Sequence, residues 1–196
     1  MKIYFYPSKY FRDRHFDTMK RWPQHEVLNP MLAENRRGIQ VTSSYANAAK
    51  LKTSWKRKLP LVNLKFRPSE LPSDAVIYTW GAIVATGRFI VDLDNPWSLV
   101  AYNLRAMPIY RLFIKHTLLS GRCLEIRCMS EACRLSLKLL FGDKVYDKSQ
   151  CHYPCISQAV TKIDLQPSDG CKFLFVGTQF EIKGGVSLIK AFKRIY

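Results

Sequence analysis

The chain has 196 residues, 47% of them hydrophobic and 13% aromatic, with 9 glycines and 10 prolines. A chain this apolar can bury enough surface to offset its ordering entropy, which excludes disorder, collagen-like repeats and low-complexity fibres; the length suits about one domain, or one domain and part of a second. The formal net charge is +16 and is uneven: residues 1–67 hold 15 Lys/Arg against 4 Asp/Glu, a net of +11, and the other 129 residues hold 16 against 11. Such a surface attracts phosphates of any kind, in nucleic acid, anionic lipid or a pyrophosphate-linked substrate, and charge alone does not choose among them.

In chain order, residues 2–6 alternate and are rich in β-formers, which predicts a first strand. Residues 9–37 are polar, aromatic and basic, broken by Pro23 and Pro30, and read as loop and short helix. Residues 38–42 read as a short strand. Residues 44–58 read as a basic helix capped by Ser43 or Ser44 and stopped by Pro60, and residues 59–66 as an extended segment. From residue 74 the pattern is cleaner. Residues 75–80 form an apolar run ending at Gly81, and residues 89–94 form a second one closed by Asn95-Pro96. Residues 98–119 read as a helix kinked at Pro108, and residues 123–129 as a strand. Ser130 then caps a helix over 131–141 that ends at Gly142. Val145 and Tyr146 add a short piece, and residues 151–156 a last extended run.

Strands alternating with helices at this spacing predict βαβ units and an α/β fold: a Rossmann-like, mainly parallel sheet flanked by helices. The first domain is expected over residues 1–165. Pro167-Ser168-Asp169-Gly170 lies in a linker over 166–171, and residues 172–196 open a second domain with one apolar strand, a polar loop and one helix. Uncharged apolar runs such as residues 81–87 are far short of a membrane span, and the N-terminus lacks the parts of a signal peptide, so a cytoplasmic chain is expected. The six cysteines form no C-x-x-C pair and read as reduced thiols, mostly core residues; Cys151, His152 and Cys155 have the wrong spacing for a common zinc site. The four histidines stand in no triad or ligand spacing.

Residues 173–192 read Phe-Leu-Phe-Val-Gly-Thr-Gln-Phe-Glu-Ile-Lys-Gly-Gly-Val-Ser-Leu-Ile-Lys-Ala-Phe. This string resembles the opening of the donor-binding domain in family 4 glycosyltransferases of the GT-B fold. The physics fits that resemblance. Gly177 permits a tight turn at the carboxyl end of a strand, Gly184 and Gly185 precede a helix whose N-terminal dipole favours an anion, and Lys183 adds a mobile charge for a diphosphate. Thr178 stands where many members carry a second cationic contact, an arginine. The preceding segment is similar to the same family's acceptor domain. Residues 74–81 resemble the strand leading to the interdomain cleft, with Trp80 and Gly81 at its mouth. Residues 89–96 resemble the strand that ends in many relatives with a histidine near the donor sugar, where this chain has Asp94. Asp94 is therefore the catalytic candidate, and a helix cap is its plain alternative. Ser130 and Glu131 match a strand-then-helix start near the cleft, where a structural helix start is the stronger reading. Residues 153–156 resemble the closing segment, and residues 1–73 match poorly, with no glycine before Gly38.

The resemblance implies a retaining transfer of a hexose from a nucleotide-diphosphate sugar to a glycan or lipid-linked acceptor, with no metal and no other cofactor. Asp92-Leu93-Asp94 has the letters of a metal-binding pair on one strand face, as a GT-A fold would use, but the Lys-Gly-Gly string and the domain order favour GT-B. It also implies an acceptor domain followed by only the first strand, loop and helix of the donor domain, an incomplete form expected neither to hold the donor tightly nor to transfer sugar alone. Two alternatives stand beside it: a basic module that binds nucleic acid or anionic surfaces without catalysis, and a non-catalytic remnant. No nucleic-acid motif is present, so that partner is not expected. The basic face of residues 1–67, with Trp22 and Trp55 among its cations, is expected on the acceptor side, peripheral to an anionic inner membrane face.

Overall fold

The computed structural model describes residues 1–6, 18–19, 21–29, 60–153, 180–181 and 183–195. The chain divides into two compact units, Met1–Ser157 and Gln158–Tyr196. The expected linker, the strand over 172–176, the strand over 38–42 and the helix over 44–58 fall outside the described residues.

The first unit is built on strands β1 (Lys2–Phe5), β2 (Glu26–Val27), β4 (Val76–Trp80), β6 (Arg88–Leu93), β7 (Cys123–Cys128) and β8 (Ser149–Cys151). They form one sheet in the order β2-β1-β4-β6-β7-β8, and every pairing is parallel. A separate parallel pair joins β3 (Leu64–Lys65) to β5 (Ile83–Val84). The α/β, mainly parallel architecture expected from the alternation is thus present. The central strands read as near-continuous apolar runs because both of their faces are covered: β4 has four buried residues in five and β6 five in six.

One crossover is unusually short. Residues 81–87 alone return the chain from the end of β4 to the start of β6, whereas parallel neighbours ordinarily need a dozen or more residues and a helix. The return is extended, and β5, lying within it, pairs with β3. Thr79 Oγ1 supports the turn by donating to Ala82 O at 2.6 Å.

Helix α1 (Ala106–Leu119) links β6 to β7, and α2 (Glu131–Phe141) with α3 (Asp143–Lys148) links β7 to β8. All three pack on one side of the sheet. There Ile77, Phe89, Val91, Leu93 and Ile126 meet Met107, Ile114, Leu118, Leu137, Phe141 and Val145 in a common core. The α2 ends are as expected: Ser130 Oγ accepts from Cys133 N at 3.2 Å, and the Gly142 N–H donates to Lys138 O at 2.8 Å. The expected kinked helix over 98–119 is instead two elements. A 3₁₀ turn, Pro96–Val100, is followed by a reversal through Ala101 and Tyr102 at φ +51° and +61°, and α1 begins only at Ala106. Pro108 is its third residue, where a backbone N–H would have no partner within the helix, so the ring costs no hydrogen bond and no kink is required. Two further differences are small. β2 lies inside the stretch read as loop and short helix, and the last strand among the described residues is Ser149–Cys151, which begins two residues before the run read at 151–156.

In the second unit, α4 (Gly185–Ile195) occupies the expected helix. No described helix is long and apolar enough to cross a membrane.

Candidate functional site

In an open parallel sheet, ligands bind beyond the carboxyl ends of the strands, at the point where the strand order reverses. Here the chain leaves β1 for β2 on one side, and β4 lies on the other, so the reversal is between β1 and β4. The carboxyl ends there carry Tyr6, after β1, and Trp80 and Gly81, at the end of β4. The edge continues through Asp94 and Asn95 after β6 and Ser130 before α2. The structure thus gathers Trp80, Gly81, Asp94, Ser130 and Glu131, all singled out in the sequence, on one edge of one sheet. Backbone bonds hold the strand ends in register there: Gly81 N donates to Asp92 O at 2.8 Å and Met129 N to Leu93 O at 2.9 Å.

Gly81 is required where it stands. Its φ is +58°, and a Cβ at this position would lie 2.6 Å from Ser98 Cβ and 2.7 Å from Ser98 Oγ. The 3₁₀ turn is pressed against the end of β4 by Asn63, whose Nδ2 donates to Gly81 O at 2.6 Å and Ser98 O at 3.1 Å.

The individual roles differ from the letters. Asp94 does not cap the following turn; its neighbour Asn95 does, accepting from Trp97 N at 2.9 Å. The Asp94 carboxylate is exposed and accepts from the Tyr102 hydroxyl at 3.2 Å through both oxygens. It remains a solvent-facing carboxylate at the edge, held by the hydroxyl of a residue in left-handed backbone. Asp92 is unlike it: buried, and accepting from the Tyr78 hydroxyl. With one carboxylate buried against a phenol and the other exposed against a different one, the two do not share an environment. Ser130 is spent on the α2 cap. Glu131 accepts from the Tyr146 hydroxyl at 3.1 Å and pairs with Arg134 at 3.5 Å, tying α2 to α3. Among the described residues no cluster of three or more His, Cys, Asp or Glu side chains is arranged to hold a metal ion. His152 faces Glu125 at 2.8 Å, and Cys155 lies outside the described residues.

Two groups at the reversal point were not singled out in the sequence. Lys65, at the end of β3, holds its Nζ 5.8 Å from the centre of the Tyr6 ring, and burial pushes its ammonium down from the ordinary lysine range. Tyr4, edge-on to Tyr6 at 6.2 Å, is pushed up, first by burial and then by its tyrosine neighbour and Glu70. A half-buried cation stacked on a ring at the strand reversal is suited to an anion. No local signal marks it, because β3 and β1 are far apart in sequence and β3 is only two residues long. The buried thiols fill core positions. Burial pushes Cys123 up to about 12. Cys133 is pushed up by the hydrogen bond it shares with Cys128, and that same bond, then Ser149, holds Cys128 lower.

The second unit supplies the Lys-Gly-Gly loop. Gly184 has φ +86°, and Gly185 lies against the Phe180 ring so closely that a Cβ there would collide with it. Gly184 N donates to Glu181 O at 3.1 Å and Gly185 N to Phe180 O at 2.8 Å, so these two amides are occupied within the loop and are not the ones presented to an anion. Lys183 is exposed just before α4. Gly177 lies outside the described residues.

No protein-family model, no curated protein and no solved structure matches this chain.

Proposed function

We propose that the chain is part of a sugar transferase that moves a hexose from a nucleotide-diphosphate sugar to a glycan or lipid-linked acceptor, with retention and without a metal or other cofactor, at the cytoplasmic side of a membrane. The all-parallel sheet supplies the acceptor side, with Trp80, Gly81 and the exposed Asp94 on its carboxyl edge. The observation that carries the reading is the loop Phe180–Gly185. Its backbone demands glycine at 184 and its packing demands glycine at 185, and it delivers an exposed Lys183 to the start of an eleven-residue helix. A mobile cation and a helix dipole at one point favour a diphosphate leaving group. In this reading Gly177, Lys183, Gly184 and Gly185 are the donor-diphosphate residues, Thr178 leaves one cationic contact fewer, and Asp94 is the catalytic candidate of the first unit.

Amide chemical shifts of ¹⁵N-labelled protein test it. Nucleoside diphosphates are expected to move the amides of residues 183, 186 and 187, and the matching nucleosides are not. Lys183→Ala should weaken the diphosphate effect about tenfold, as loss of one charge-assisted contact does. Equal shifts from nucleoside and diphosphate, or shifts spread over every basic segment, would refute the reading.

A further inference from the structure

The solvent side of α1 is not built like a solvent side. Leu104 is 65% exposed, Ile109 62%, Leu112 79% and Phe113 48%. Ile109, Leu112 and Phe113 recur at helical spacing, opposite the buried stripe of Ala106, Met107, Ile114, Thr117 and Leu118. α1 is therefore apolar on its core side and again on its outer side. A helix of that kind ordinarily has a second cover. α2, which packs beside it, adds exposed Leu135 and Leu139 on its own outer side.

The charge along α1 has one sign. From residue 95 to residue 124 there is no Asp or Glu, while Arg105, Arg111, Lys115 and Arg122 all fall in that stretch. Arg105 and Arg111 are exposed, and Lys115 is partly so. Apolar side chains flanked by cations, with no acid among them, complement an interface that is apolar inside and anionic at its surface. A second copy of this chain fits worse, because an isologous pairing would set Arg105, Arg111 and Lys115 of each copy against one another.

We propose that the outer face of α1, with Leu104 and Arg105 leading into it, docks on an anionic lipid membrane. This assigns the membrane contact to α1 and not to the basic segment 1–67, where the net charge is larger. Several described cations of that segment are already engaged: Lys2 pairs with Asp74 at 3.4 Å, Lys65 lies over Tyr6, and Arg67 donates to the backbone oxygens of Leu71, Pro72 and Ala75. The inference does not depend on the transferase reading.

Sedimentation with vesicles tests it, using phosphatidylcholine alone and phosphatidylcholine mixed with phosphatidylserine. Wild-type chain should partition onto the mixed vesicles, and Leu112→Glu should lower that partition at least about tenfold while leaving the unfolding midpoint unchanged, since the side chain is exposed. Arg111→Gln with Lys115→Gln should lower it about as much at low salt. Neutralising Arg12, Arg14, Lys20 and Arg21 together, the control for diffuse attraction by a +16 chain, should cost less than Leu112→Glu. Hydrogen exchange on mixed vesicles should show new protection over residues 104–116. The proposal is overturned if Leu112→Glu binds as wild type does, if the Arg12–Arg21 set abolishes binding instead, or if the same protection develops without lipid in step with dimer formation, which would assign the face to a second copy.

Discussion

The two sides of the six-stranded sheet solve the same burial problem by different means. On one side Phe89, Val91, Leu93, Ile126 and Ile77 lie under three helices, and the contacts are almost wholly apolar. On the other, Ile3, Phe5, Val76, Tyr78 and Ile90 make a smaller cluster with Met19, Trp22 and Val27. Toward β7 that second side turns polar. Tyr78 donates to buried Asp92, the Arg127 guanidinium lies 4.7 Å from the Trp22 ring centre, and Glu125 faces His152. Register explains the grouping: Ile90 lies beside Glu125 and Asp92 beside Arg127, and cross-strand neighbours point the same way. Volume should govern stability on the helix-covered side, and satisfied polar partners on the other.

The largest effect expected from that contrast is at Phe89, which is fully buried under the helices. Phe89→Ala should destabilise the chain by about 3–5 kcal/mol, the usual range for emptying a phenyl site in a closed core. Chemical denaturation at neutral pH would show it as a lower midpoint with unchanged slope. A loss below about 1 kcal/mol would mean that this side closes up around the gap and is no better packed than the other.

The same contrast explains what could be read from the sequence. β4, β6, β7 and α2 were legible because each carries its own local signal: an apolar run of strand length, or Ser130 and Gly142 at the ends of a helical period. β3 was legible only as part of the extended segment 59–66, and β2 and β5 were not, because each of the three is two residues long and is held by its neighbours, not by its own propensity. The edge of the sheet was legible as a place, since strand ends are punctuated by Gly81, Asn95-Pro96 and Ser130. The roles within it were not, because one residue of displacement separates the capping Asn95 from the solvent-facing Asp94. Lys65 over Tyr6, and Asn63 binding the end of β4 to the 3₁₀ turn, are made by segments distant in sequence and leave no motif.

On the polar side, an intermediate effect is expected at Tyr78. Tyr78→Phe keeps the ring and its packing at 4.8 Å from Phe5 but withdraws the hydroxyl from a buried carboxylate. Leaving a buried acceptor without that donor costs about 1–3 kcal/mol, although almost no volume is lost. The same denaturation experiment reads it. A neutral result would show that Asp92 recovers the bond elsewhere, and that this side depends on volume as the other does.

The smallest effect sharpens the point that burial, not charge, decides what a polar contact contributes. Lys138 at the end of α2 meets Asp143 at the start of α3 at 2.9 Å, on the outside of the helix layer. Lys138, by hydrogen bond and then by charge, holds the Asp143 carboxyl below the usual range, and Asp143 holds the Lys138 ammonium above its own. A carboxyl depressed on folding lends stability above its unfolded pKa and loses it as pH falls through the folded value; an ammonium raised on folding lends stability below its unfolded pKa and loses it as pH rises through the folded value. The pair therefore acts across the neutral range and vanishes at both extremes. Both side chains are solvated, so salt and water screen the attraction. Lys138→Ala should thus leave the unfolding midpoint at neutral pH unchanged, while the Asp143 carboxyl, followed by NMR, titrates at higher pH than before. A clear loss of stability in this variant, comparable to that of Tyr78→Phe, would show that a solvated pair on the outside counts as much as a buried one, and the contrast between the two sides would then rest on something other than burial.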